Sequence, residues 1–97
     1  MHLEWSVLAL ADRQAIFDYI EADSPRAAVA VDLRIEMTTG RLVQFPETGR
    51  IGRVDGTREL VINRTPYIAA YRTVGDVVLI LRVLHGAQQW PEDIAEH

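Results

Sequence analysis

The apolar positions of the chain are densest between Val77 and Leu84, where Arg82 is the only interruption. A run of this length, rich in β-branched residues, predicts a central strand. Tyr67 to Val74 predicts a second strand, and only Gly75-Asp76 separates the two. That is the two-residue signature of a tight hairpin turn whose first position needs positive φ. The turn sets a register in which Val74 faces Val77, Tyr71 faces Ile80 and Ala69 faces Arg82. Tyr67, Tyr71, Val78, Ile80, Arg82 and Leu84 then share one face, and Ile68, Val74, Leu79, Leu81 and Val83 share the other. Both faces are mostly apolar. One should therefore pack on the chain's own helices, and the other should be covered by its tail or by a partner.

Upstream, His2 to Ser6 alternates polar and apolar positions as far as Trp5 and predicts a short first strand. Ser6 suits a helix N-cap, and Ala9, Ile16 and Ile20 then recur at helical spacing, which predicts a helix over about 7–22. Asp23-Ser24-Pro25 both stops that helix and starts another, since serine caps and proline is tolerated at the first position. The second helix runs to about residue 39 with two adjacent apolar stripes, Ala28, Val31, Ile35 and Val29, Leu33, Met37, so it should touch both the first helix and the sheet. Gly40 is the expected helix terminator, residues 41–57 read as a long loop, and Arg58 to Asn63 returns to strand pattern. Beyond Leu84 the chain leaves the strand, Trp90 is expected to fold back onto the core, and Pro91 opens a short acidic tail. The expected fold class is α+β with the order β-α-α-β-β-β: an N-terminal strand, then a helical hairpin packed on a small antiparallel sheet. Residues 1–97 are expected to form a single domain.

Composition narrows the function classes. Hydrophobic content of 48% fits a globular domain. Without cysteine there is neither a disulfide framework nor a thiolate metal site. No cofactor is expected. The start lacks the basic and apolar regions of a signal peptide, and no run has membrane-spanning length, so no membrane partner and a cytoplasmic location are expected. The net charge of −4 is unevenly spread. Residues 1–40 carry three arginines against seven carboxylates, whereas residues 41–88 carry seven arginines against four. The middle is the basic part, and every cation is arginine.

Three groups of residues invite a chemical reading. Gly49-Arg50-Ile51-Gly52-Arg53 has the glycine content of a phosphate cradle, but it lacks the Walker lysine and leads into a strand, so a plain loop is favoured. Arg41, Arg50, Arg53, Arg58 and Arg64 could form a basic edge for an acidic partner or nucleic acid; a solvated loop is the alternative. Arg72 joins Arg50, Arg53, Arg58 and Arg64 as a candidate for partner binding. His85 lies at the end of the central strand, where a general base would be well placed, with Arg82 nearby in sequence. A structural strand-end histidine is the more economical account. Tyr67, Tyr71 and Arg82 on one face suit RNA stacking, although core packing with Arg82 paired to a helix carboxylate is favoured.

The motifs Phe45-Pro-Glu-Thr-Gly-Arg-Ile-Gly-Arg, Gly56-Thr-Arg-Glu-Leu-Val-Ile, Thr65-Pro-Tyr-Ile, Tyr71-Arg and Ile80-Leu-Arg-Val-Leu-His-Gly-Ala-Gln-Gln-Trp-Pro, taken in order, resemble toxins of the RelE/ParE superfamily from bacterial type II toxin–antitoxin modules. The likeness extends to Asp18-Tyr-Ile and Ser24-Pro-Arg-Ala-Ala and covers nearly the whole chain. It implies the same β-α-α-β-β-β fold and neutralisation by a cognate antitoxin protein. RelE-type members cut messenger RNA on the ribosome with lysines on the second strand of this order, arginines on the third and past the fourth, and a C-terminal tyrosine. The matching positions here hold Glu59, Val61, Ile68 and Ala87, and no tyrosine follows Tyr71. Cleavage needs cations against the developing phosphorane charge, and these positions supply none. ParE-type members poison DNA gyrase through protein contacts, and Tyr71-Arg and Ile80-Leu-Arg-Val-Leu-His are closer to them. The resemblance therefore implies a gyrase inhibitor; the alternatives are a ribosome-dependent endoribonuclease using His85 with Arg82, or an inactive relative that only binds antitoxin.

Overall fold

The computed structural model describes residues 1–91 and 94. Its elements are β1 (His2–Trp5), α1 (Val7–Glu21), α2 (Pro25–Gly40), a 3-10 turn (Arg41–Val43), β2 (Arg50–Ile51), β3 (Arg58–Val61), β4 (Tyr67–Val74) and β5 (Val77–His85). Both helices start where serine can cap them. Ser6 Oγ accepts the Ala9 amide at 3.0 Å and Ser24 Oγ accepts the Ala27 amide at 3.2 Å, satisfying amides that have no partner within the helix. Ser6 also donates to the Leu81 carbonyl at 2.8 Å, so the same side chain fixes α1 onto β5.

The five strands form one sheet in the order β1-β5-β4-β3-β2. The α+β layout is the one the pattern predicts, with two additions. β1 pairs with β5 in parallel, so the sheet is mixed, and β2 lies inside the segment expected to be loop. The hairpin turn has Gly75 at φ 60°, as a two-residue turn requires. Gly40 is not a left-handed terminator: it is helical at φ −60°, and the chain runs straight on into the 3-10 turn.

The β4–β5 register follows expectation from Val74 opposite Val77 to Tyr71 opposite Ile80 and then shifts. A β-bulge leaves Leu81 as an extra residue, so Ala70, not Ala69, faces Arg82, and Ala69 faces Val83. The predicted faces are therefore exchanged beyond the bulge. Tyr67, Ala69, Tyr71, Val78, Ile80 and Val83 pack against Ala9 and Ile35 in the main core, between sheet and helices. Ala70, Leu81 and Leu84 form a second cluster with Ile94, and Val54, Leu79 and Trp90 pack against it. The bulge moves Val83 and Leu84 each to the side where it is buried. Each such large apolar side chain taken fully from water stabilises the fold by about 1.5–3 kcal/mol. The second sheet face is thus covered by the chain itself, with Trp90 folded back as expected. The acidic positions of the expected tail, Glu92, Asp93 and Glu96, lie outside the described residues.

Candidate functional site

Arg82 sits beside the bulge, and its Nε and Nη2 donate to the two carboxylate oxygens of Asp12 on α1 at 2.8 and 2.9 Å. The same carboxylate accepts the Val83 amide at 2.9 Å. β1 has already left β5 at this point, since its last pair is Trp5 with Ile80, and Asp12 takes over the open edge. The arrangement is the helix-carboxylate pairing favoured from sequence. Tyr67 and Tyr71 do not join Arg82 in a stacking surface: both rings are buried in the main core. The Tyr71 hydroxyl donates to the Pro46 carbonyl at 2.7 Å and accepts the Gly49 amide at 2.9 Å, which holds the 45–49 loop against the sheet. Burial pushes its phenol upward in pKa, outweighing the Gly49 amide, whose hydrogen bond pulls the other way.

His85 ends β5 with an exposed ring. Its Nδ1 accepts the Ala87 amide at 3.1 Å, and its ring meets Tyr67 edge-on at 5.8 Å. His85 and Arg82 are held by different groups: the imidazole meets Tyr67 and the Ala87 amide, and the guanidinium is bound by Asp12. The strand-end role of the histidine is what its contacts describe.

The five arginines proposed for partner binding divide sharply. Glu59 is only 3% exposed, and Arg50 reaches its carboxylate at 3.0 Å. Arg53 reaches it through its backbone amide at 2.8 Å and its Nε at 3.0 Å. Burial pushes the Glu59 carboxyl upward, but the hydrogen bonds from Arg53 and Arg50 outweigh that and hold it at about 2. The Arg53 guanidinium also lies 3.8 Å over the Trp90 ring, closing the second sheet face. Arg58 donates to the Gly49 carbonyl at 2.8 Å. Arg72 Nε is buried without a hydrogen-bond partner among the described residues. Arg50, Arg53 and Arg58 thus brace the 47–53 loop, and they do not form the continuous basic edge suggested by their spacing.

The cations left over sit elsewhere. Arg64 occupies the β3–β4 turn at φ 64°, facing a concavity of about 180 Å³ that Arg34 and Arg41 also line. Arg41 and Arg64 belong to the basic edge expected from sequence, and Arg34 does not, although its spacing of seven from Arg41, two helical turns, puts the two on one side of the helix. Among the described residues no cluster of side chains could hold a metal ion, and no helix is long and apolar enough to cross a membrane. Large apolar side chains remain exposed on the helices at Val7, Leu10, Val29, Leu33 and Met37.

Comparison with known proteins gives a consistent picture. A family model described as the ParE toxin of type II toxin–antitoxin system, parDE, matches residues 3–90. Y4kP of Sinorhizobium fredii is 44% identical over 90 residues, covering 93% of both chains. Toxin RelE2 of Caulobacter vibrioides is 39% identical over 84 residues, covering 87% of this chain and 93% of the relative. A solved structure described as a chromosomal ParDE TA system from P. aeruginosa superposes with a TM-score of 0.79 at 33% identity, over 88% of this chain and 95% of that one.

Proposed function

This chain belongs to the ParE toxin family of type II toxin–antitoxin systems, and from that premise we propose that it arrests growth by inhibiting DNA gyrase until a cognate antitoxin neutralises it. The observation that carries the choice of target is Glu59. A nuclease of this fold needs free cations on this strand; here the position holds a buried carboxylate that occupies two neighbouring arginines. Arg82 is bound to Asp12, and the His85 ring is engaged by Tyr67 and the Ala87 amide. Electrostatic stabilisation of a phosphorane is commonly the largest catalytic term, and these contacts leave none of the resemblance's nuclease positions able to supply it. The exposed apolar stripe Val29, Leu33, Met37 on α2 supports a protein partner laid along the helices, in keeping with an antitoxin.

A second reading rests on two facts: relatives named RelE align over most of the chain, and the His85 ring is exposed at a strand end. The test is expression of the chain without antitoxin, followed by parallel supercoiling and ribosome-cleavage assays. We expect growth arrest, inhibited supercoiling and intact messenger RNA. His85→Ala should leave gyrase inhibition in place, whereas a nuclease using that histidine as acid or base would lose roughly a hundredfold or more in rate. Cleaved message with normal supercoiling would replace the gyrase proposal.

A further inference from the structure

We infer that the cleft between the 3-10 turn and the open edge of β3 is a docking site for an extended acidic peptide segment of a protein partner. The cleft has a volume of about 480 Å³ and is lined by Leu42, Phe45, Leu60 and Val61, with Arg41 and Asn63 at its rim. Phe45 and Val61 are 63% and 51% exposed, so the apolar lining is open to solvent.

The backbone at this edge is also unfilled. β2 pairs with β3 only at Arg58 and Glu59 and stops there. The Ile62 amide donates to the Tyr67 carbonyl across β4. Because hydrogen-bonding direction alternates along an antiparallel strand, the amide and carbonyl of the preceding residue, Val61, point the other way, toward the cleft. An extended peptide laid there would gain main-chain hydrogen bonds of the kind that extend a sheet.

Charge specifies the rest of the occupant. The concavity rimmed by Arg34, Arg41 and Arg64 adjoins the cleft, sharing Thr38, Arg41 and Asn63 with it. None of these three arginines has an ion-pair partner among the described residues, although the whole chain carries a net charge of −4. Three unopposed guanidinium groups beside an apolar cleft select a segment with carboxylates next to an apolar anchor. Side chains on one side of a strand recur every second residue, so the anchor and the nearest carboxylate should be two positions apart. A nucleic acid would use the arginines but neither the apolar lining nor the edge amide.

The test is an amide NMR titration of the full chain, free of antitoxin, with a heptapeptide carrying one leucine and two glutamates at alternate positions separated by threonines. The same peptide with lysines for glutamates and a short single-stranded oligonucleotide serve as comparisons. We expect shifts concentrated at Leu42 to Phe45 and Leu60 to Arg64, and Arg41→Glu or Arg64→Glu weakening affinity by at least about tenfold. Arg64→Gly keeps a backbone that glycine adopts freely, so it removes the charge without a folding penalty and should also weaken binding. Arg26→Glu, at the start of α2, should not. Absent or scattered shifts, affinity indifferent to the Arg64 variants, or an oligonucleotide moving the same amides at lower concentration would each overturn the inference. None of these outcomes depends on whether gyrase is the target.

Discussion

Replacing Glu59 by glutamine tests how much of the fold rests on one buried carboxylate. The wild-type carboxyl titrates at about 2 in the folded chain against an ordinary value of 4.5. A difference of that size corresponds to about 3–4 kcal/mol of stability linked to ionisation, at roughly 1.4 kcal/mol per pKa unit. The sign follows from the depressed folded value. Above about pH 5 the ionised carboxylate stabilises the fold in full; as pH falls from there toward 2, the unfolded chain takes up the proton first and that stability drains away. Glu59→Gln keeps the shape and removes the charge. It should cost about 2–3 kcal/mol at pH 7, a fall in Tm on the order of 10 °C for a domain of this size. The assay is urea unfolding of both proteins, followed by circular dichroism at pH 7, 5, 3.5 and about 2.5, where carboxylates common to both cancel in the difference. The gap should shrink steadily below pH 5. A gap under about 1 kcal/mol at pH 7, or one that does not change with pH, would refute the account of Glu59 as an ionised hub for Arg50 and Arg53.

Four further substitutions probe other supports of the fold. Asp12→Ala removes the partner of Arg82 and the acceptor of the Val83 amide, and should cost about 2–4 kcal/mol; a double-mutant cycle with Arg82→Ala should show coupling of at least about 1 kcal/mol. Tyr71→Phe should cost about 1–3 kcal/mol and speed amide exchange at Gly49, whose hydrogen bond it deletes. Gly49→Ala should destabilise by a few kcal/mol in the same unfolding assay, since a Cβ there would stand 2.6 Å from the Tyr71 hydroxyl and 2.9 Å from the Glu59 carbonyl. Arg64→Gly should be neutral or stabilising by up to about 1 kcal/mol, because it relieves a left-handed backbone at φ 64°.

Much of this fold is legible before any coordinates. Serine caps, proline at the first turn of α2 and the Gly75-Asp76 turn are local signals, and each element they bound stands within a residue or two of its predicted ends. The register beyond Tyr71 is not legible, because a bulge depends on which residues find burial on either face. Val83 suits the helix side and Leu84 the side closed by Trp90, and no pattern inside Val77 to Leu84 announces that exchange. β2 is invisible for a similar reason: two residues, Arg50 and Ile51, carry no periodicity and pair only because β3 passes beside them.

The candidate site was harder to read, since the count of arginines in the middle of the chain says nothing about which are free. Seven lie between Arg41 and Arg82. Four of them are engaged: Arg50 and Arg53 with Glu59, Arg58 with the Gly49 carbonyl, and Arg82 with Asp12. Two of those partners sit far away in sequence or inside a strand that looks like plain core, so their claim on the cations appears only once β3 and α1 are in place. Of the other three, Arg72 has its Nε buried, and what stays open is the Arg41 and Arg64 end, joined by Arg34 from the preceding helix, beside the β3 segment that β2 leaves unpaired. Positive charge, open strand edge and exposed Phe45 therefore coincide for one structural reason. The loop after α2 is pulled down onto Tyr71 and Glu59, and the sheet edge beyond that anchor is left without cover.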